Sequence, residues 1–227
     1  MTRTMSLWDD RAAEAALSLL GASVVAALWY GIAALYFPES TPIPTEVIGT
    51  WLVLSNVYLI VKQNDWCWPI GIVGVAFFGY ALLQYGLYST AVLNILYYIP
   101  VQVYGWYKWL YGQGGTGIKH PSWMTVKGRL LALASIAIVT VAWGWLMTEM
   151  GASFAFIDSL VLAISVTSQF LLSYKKIESW IGWVTVDVLS VWMFFSAGSI
   201  MAGALYFLFF FLASRGLYEW YKDWRQV

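Results

Sequence analysis

Residues 94–109 read NILYYIPVQVYGWYKW, and the fold turns on how this stretch is understood. It is apolar enough to lie in a bilayer, yet Asn94, Tyr98 and Gln102 recur every four residues and Trp106 continues the row. Residues four apart lie on one face of an α-helix, drifting by about 40° per step. Backbone groups inside a membrane helix are already paired, so side-chain amides in hydrocarbon need partners of their own. Such a stripe has two uses. It can hold neighbouring helices together, or it can hydrogen-bond a polar ligand. The chemistry of the stripe alone leaves both open.

The composition around it selects the environment. The chain has 227 residues, of which 61% are hydrophobic and 11% charged, with a mean hydropathy of +0.70. A soluble domain carries about 25% charged residues, so an integral membrane protein is the class that fits. The net charge of +0 gives no reason to expect nucleic acid. Cys67 is the one cysteine, which excludes a disulfide framework, and the one histidine, His120, stands in a polar loop beside Lys119. No His, Cys and carboxylate group has metal-ligand spacing, and GxxxxGK[ST], HExxH and GxSxG are all absent. No cofactor is expected, and no enzyme chemistry.

A spanning helix needs roughly 20 mostly apolar residues. About eight segments qualify, at about 15–37, 46–63, 68–86, 88–111, 126–148, 156–174, 177–196 and 198–221. The basic residues test that number. Arg3 and Arg11 precede the first segment and Lys62 follows the second. Lys108, Lys119, Lys127 and Arg129 surround the fourth-to-fifth connection, Lys175 and Lys176 the sixth-to-seventh, and Arg215, Lys222 and Arg225 the C-terminal end. The alternate connections, PESTPIPTE, QYGLYST, TEMGAS and SAGS, contain no Lys or Arg. Eight spans therefore put all 12 basic residues on one side, which the positive-inside rule makes the cytoplasm, with both termini there. The first segment is too long for a signal-peptide core and lacks a clear small-residue cleavage site.

The sequence also repeats. I70-G-I-V-G-V75 is echoed by I181-G-W-V-T-V186, and G105-W-Y-K-W109 by G216-L-Y-E-W220, both at a spacing of 111 residues. The repeating unit is three helices, spans two to four and then six to eight. The units start four spans apart, so they cross the membrane in the same direction, as in transporters with a repeat axis along the membrane normal. The expected organisation is an N-terminal segment with an extra helix (1–45), a first three-helix repeat (46–112), a linker with a connecting helix (113–150) and a second repeat with the C-terminus (151–227). In the linker, GQGGTG and His120-Pro121 mark a break between the halves. Cargo would bind near the midplane between the repeats.

The polar residues within spans describe that cargo. Beside Asn94, Tyr98 and Gln102 stand Trp51, Ser55 and Asn56 in the second span, Asp158 and Gln169 in the sixth, and Trp183 and Asp187, four apart, in the seventh. An ionisable residue deep in a span is a functional candidate by default; Asp187 is deep, whereas Asp158 lies where it can simply cap its helix. The set offers amides, hydroxyls, indole faces and carboxylates but no cation, and an anionic substrate normally calls for Arg or Lys. The cargo is expected to be neutral or cationic, to carry hydroxyls and to have a flat ring that stacks on tryptophan. Pro100, inside the stripe, kinks its helix and serves either as a static bend or as a hinge. Gly71, Gly74 and Gly79 are expected to let that helix approach closely.

These residues together resemble a known family. W68-P-I-G71, N94-x3-Y98-x3-Q102-x-Y104-G-W-Y107-x-W109, I157-D-S159, K176-x3-W180-x2-W183-x3-D187 and G216-x3-W220 are similar to the PnuC family of vitamin transporters, over about residues 46–224. The resemblance implies an all-α integral membrane protein of the inner (cytoplasmic) cell membrane, in effect a full-length SWEET-like fold with an extra N-terminal helix. It implies uptake of nicotinamide riboside by facilitated diffusion, trapping by cytoplasmic phosphorylation in support of NAD biosynthesis, and a homotrimer. Thiamine, riboflavin or a sugar remain alternatives as cargo, and a membrane enzyme or structural subunit remains the alternative of another class.

Overall fold

The computed structural model describes residues 2–38, 42–84, 91, 93–115, 117–118, 120–151, 154–198 and 200–226. Its described residues form eight helices: α1 (Thr2–Tyr36), α2 (Pro44–Val61), α3 (Cys67–Gln84), α4 (Ile99–Gly115, entered through a π-helical turn at Asn94–Tyr98), α5 (Val126–Glu149), α6 (Ala155–Ser173), α7 (Glu178–Ser196) and α8 (Ile200–Trp224). Six helices among the described residues are long and apolar enough to cross a membrane: Asp10–Tyr36 within α1, then α2, α3, α5, α6 and α7. Of the connections free of basic residues, positions 39–41, 85–90, 152–153 and 199 lie outside the described set, as does Lys119.

Local chemistry sets several helix ends. Pro44 occupies the first turn of α2, where its missing N–H costs nothing, and Glu46 faces the positive end of the helix dipole. The Thr125 hydroxyl caps α5 by accepting from the Gly128 N–H at 3.2 Å. Gly198, just past α7, has φ of 76°, a left-handed conformation that glycine adopts without strain.

The chain divides into two compact units, 1–117 and 118–227. In the first, α1 lies along α2, and its small side chains Ala15, Ser18, Ala22, Ala26 and Ala33 are buried. Polar ties fasten the two. The Ser18 and Ser55 hydroxyls are 2.6 Å apart, and the Trp51 indole N–H donates to the Leu19 carbonyl at 2.9 Å. Beyond the end of α2, Asn64 Nδ2 donates to the Arg11 carbonyl and to Glu14 Oε2, both at 2.9 Å, and Arg11 pairs with Asp65. On the other side of α2, glycines bring α3 into backbone contact: a Cβ at Gly49 would sit 2.9 Å from Phe78 N, and one at Gly74 2.9 Å from Leu52 Cβ. Gly74 thus serves the α2–α3 seam rather than α4, while Gly71 and Gly79 do face α4 side chains.

Within the span expected over 88–111, Asn94–Tyr98 form a π-helical turn just before Pro100. The Ile99 N–H bonds to the Asn94 carbonyl, five residues back. Proline explains this: Pro100 lacks a donor for the carbonyl of Leu96, and its ring crowds that carbonyl, so the turn before it widens. The disturbance expected at Pro100 thus shows as a π turn that starts at Asn94.

In the second unit the segment before α5, expected as a linker, is pinned down. Ser122 N–H donates to the Lys175 carbonyl at 3.0 Å and Ile177 N–H to the Ser122 carbonyl at 3.1 Å. The Met124 N–H and Arg129 Nε both bond the Glu178 carboxylate. Trp123 packs edge-on against Tyr221 and Trp224 of α8. Lys175, only 5% exposed, sits with φ of 50° in the turn between α6 and α7.

Each unit is built around one buried pair of tryptophans. Trp68 meets Trp109 edge-to-face at 5.1 Å and 89°; Trp180 meets Trp220 at 5.5 Å and 87°. In each, a glycine leaves the space that the ring fills: a Cβ at Gly105 would collide with Trp68, and one at Gly216 with Trp180. The recurring Gly and Trp of the two sequence blocks thus carry the same packing in both units.

Candidate functional site

Two clusters of buried polar side chains stand out, one in each unit. In the first, Asn56 of α2 and Gln102 of α4 converge on Gly71 of α3. A Cβ at Gly71 would collide with Gln102 Oε1 and Asn56 Nδ2, so glycine leaves the space in which the two amides sit. Gln102 is 4% exposed and Asn56 is also buried. Asn56 Nδ2 donates to the Cys67 carbonyl at 2.7 Å, tying it to the start of α3. Asn94, buried at the head of the π turn, packs over Gly79 of α3. Tyr98 and Trp106 are half-buried, and Tyr98 stands edge-on to Tyr97 at 5.2 Å. The stripe thus supplies two buried amides, Asn94 and Gln102, and α2 adds a third.

Trp51 and Ser55 point elsewhere. Asn56 is five residues beyond Trp51, about 140° around the helix, and the bonds follow that angle. Trp51 and Ser55 spend their donors on α1, while Asn56 turns to α3. α2 therefore has two polar faces, of which one is occupied by α1.

In the second unit Asp187 of α7 is 4% exposed, and no described residue hydrogen-bonds or ion-pairs with it. Trp183, one turn earlier on the same face, is half-buried. Tyr206 of α8 stacks on Phe194, which lies seven residues beyond Asp187 on α7, with ring centres 5.3 Å apart. Asp158 is exposed and stands in the first turn of α6, where a carboxylate complements the helix dipole. Gln169 is buried on α6, eleven residues on and so about 16 Å along the axis from Asp158. Two residues join Asp187 that the sequence reading did not single out. Ser190 was within reach of that reading, being three residues from Asp187 and so on its face; Tyr206 was hidden in the aromatic run LYFLFFF. Among the described residues no group of three or more His, Cys, Asp and Glu is arranged to hold a metal ion.

Among the described residues, six helices long and apolar enough to cross a membrane, with buried amides and a buried carboxyl group within them, fit a polytopic membrane transporter. Residues 43–222 match the nicotinamide mononucleotide transporter family, and the chain belongs to that family. Its curated relatives include the riboflavin/roseoflavin transporter RibM of Streptomyces davaonensis, 23% identical over 202 residues, with 85% of this chain and 92% of the relative covered. They also include the nicotinamide riboside transporter PnuC of Escherichia coli, 24% identical over 207 residues, covering 80% and 86%. The fold matches the crystal structure of the vitamin B3 transporter PnuC with a TM-score of 0.67 at 21% identity, covering 90% of this chain and 92% of that one. The protein is a multi-pass membrane transporter of the PnuC type and not an enzyme.

Proposed function

We propose that this protein carries nicotinamide riboside across the inner membrane as a uniporter, with cytoplasmic phosphorylation trapping the product. The observation that carries this reading is the set of buried polar side chains within the units: Asn56, Asn94 and Gln102 in the first and, in the second, Asp187, which no described residue hydrogen-bonds, one turn from Trp183. Amides suit hydroxyls and a carboxamide, an indole suits a flat ring, and a carboxylate suits its positive charge. The name of the Escherichia coli relative supports the same cargo. The family's own description mentions the mononucleotide, but a phosphomonoester brings a charge of about −1.5 to −2 towards a carboxylate that no described Lys or Arg neutralises. The expected result of titrating the purified protein is saturable binding of nicotinamide riboside and none of nicotinamide mononucleotide. Equal affinity for the two would place a cation in the cavity and overturn the reading.

Riboflavin is the second reading, favoured by the likeness to RibM over 85% of the chain; the same titration with riboflavin decides between them.

The membrane arrangement proposed is eight spans with both termini cytoplasmic, since that arrangement alone gathers the basic residues on one side. The spans form two parallel three-helix repeats in a SWEET-like order, and the matched tryptophan–glycine packing of the two units supports this. A homotrimer is part of the same proposal, to be checked by mass measurement in detergent. A reporter active only in the cytoplasm, fused after Val227, is expected to be active; an inactive fusion, alongside an active one in the 38–46 loop, would invert the topology.

A further inference from the structure

Hydroxyl side chains in these helices follow a pattern, and among the described residues Thr140, Ser179 and Ser190 depart from it; of these, Ser190 is the one that stands three residues from Asp187. Ser23, Ser135, Thr148, Ser159, Thr167 and Thr185 each donate to the carbonyl four residues back, at 2.6–2.9 Å. This is the usual way a membrane helix satisfies a hydroxyl. Ser190, in the same helix as Thr185, does not. Its hydroxyl is buried, the residue is 1% exposed, and it has no hydrogen-bond partner among the described residues. Buried polar groups are ordinarily paired, so an unpaired one beside an unpaired carboxylate needs a reason.

The positions give one. With 100° per residue, Trp183, Asp187, Ser190 and Phe194 fall within an arc of about 60° on α7. They form a row with an indole at one end, a carboxylate and a hydroxyl in the middle, and a phenyl ring at the other end. From α8, Tyr206 stacks on Phe194 with ring centres 5.3 Å apart and planes 19° from parallel. That stacking holds the Tyr206 ring against the end of this row. No described residue hydrogen-bonds the phenol. The result is a buried carboxyl group and a buried hydroxyl one turn apart on α7, with the Tyr206 phenol carried on a ring that stacks at the end of the same row.

We propose that Ser190 and Tyr206 complete, with Asp187, a subsite that binds the hydroxyls of a sugar or sugar-alcohol moiety on the cargo. A pair of adjacent ligand hydroxyls can donate to the carboxylate and accept from the serine and the tyrosine, so every polar group in the row is satisfied on binding. The apolar rings on either side exclude water, which strengthens these bonds. The subsite deepens the reading given above, since it rests on the cargo being a riboside or ribityl compound.

The test compares variants against a hydroxyl-deficient ligand by calorimetric titration of the full chain. Wild type, Ser190→Ala and Tyr206→Phe are each titrated with nicotinamide riboside and with its 2′,3′-dideoxy analogue, and with riboflavin and lumiflavin, which lacks the ribityl chain. Each variant is expected to lose roughly tenfold in affinity for the hydroxylated ligand, as for one hydrogen bond, and to bind the hydroxyl-deficient partner as wild type does. Both variants are small deletions, and a melting curve of each confirms folding; Ser190→Thr, which keeps the hydroxyl, is expected to recover affinity. Equal losses for ligands with and without hydroxyls, or no loss at all, overturn the subsite. If wild type binds riboflavin and not the riboside, the uniporter reading fails while the flavin pair still decides the subsite. Binding of neither hydroxylated ligand overturns both.

Discussion

Gly71 shows what a single residue decides here. Its missing side chain is the space in which the Asn56 and Gln102 amides sit, so its worth lies in where it lets two other residues stand. Gln102→Ala removes one amide, and Asn94→Ala another; each is expected to lower cargo affinity by roughly tenfold, the scale of one lost hydrogen bond. Gly71→Ala keeps every amide but forces both apart, and a comparable loss of affinity is expected from it. Wild-type binding by all three variants, measured by titration, would return the stripe to its other use as glue between helices. The stripe itself was legible in the sequence, because a period of four residues maps directly onto a helix face. What Gly71 faces was not, because periodicity says nothing about which neighbouring helix supplies the other side of a contact. Ser190 and Tyr206 were missed for a related reason: a lone serine and one tyrosine among phenylalanines carry no period of their own.

At the scale of the helix, α1 is the element whose purpose was least visible, since the resemblance begins beyond it and the family match starts at residue 43. The structure gives it a partner. Small residues let it lie against α2, and Trp51, Ser55, Asn64 and Asp65 tie it at intervals along its length. The sequence offers Trp51 as one of the polar and aromatic groups of its span, and in the structure its indole N–H donates to the Leu19 carbonyl. Trp51→Phe keeps the ring and deletes that bond. The expected outcome is a loss of about 0.5–1.5 kcal/mol of stability, read as a melting temperature lower by a few degrees, with cargo affinity unchanged. A tenfold fall in affinity at an unchanged melting temperature would place Trp51 against the cargo. α4 teaches the complementary lesson. Pro100 marks a disturbance, and the chain carries a π turn in the five residues before Ile99. The sequence marks the residue that cannot donate, but the backbone chooses which neighbour takes over, and that choice depends on packing against α3.

At the scale of the whole molecule, the division into two units with matched tryptophan–glycine cores bears on how transport is driven. A carrier coupled to an ion gradient needs a second site whose occupancy is linked to that of the cargo. Among the described residues there is no cluster of acidic or metal-binding groups that would hold a driving cation. Asp187, the buried carboxylate, stands in the row that the cargo reading already uses. Under the proposed uniport, movement is expected to run downhill in either direction, with net uptake set by consumption of the product inside. Purified protein in liposomes, given labelled nicotinamide riboside with no ion gradient, is expected to equilibrate the label and to exchange it for unlabelled cargo on the far side. Flux that appears only with an imposed sodium or proton gradient would reject uniport. The same vesicles test whether the π turn moves. With Pro100→Ala the donor to Leu96 is restored and a regular α-helical turn becomes available. If the turn is a hinge between inward- and outward-open states, affinity is kept and flux falls; if the variant keeps both, the turn only shapes the site.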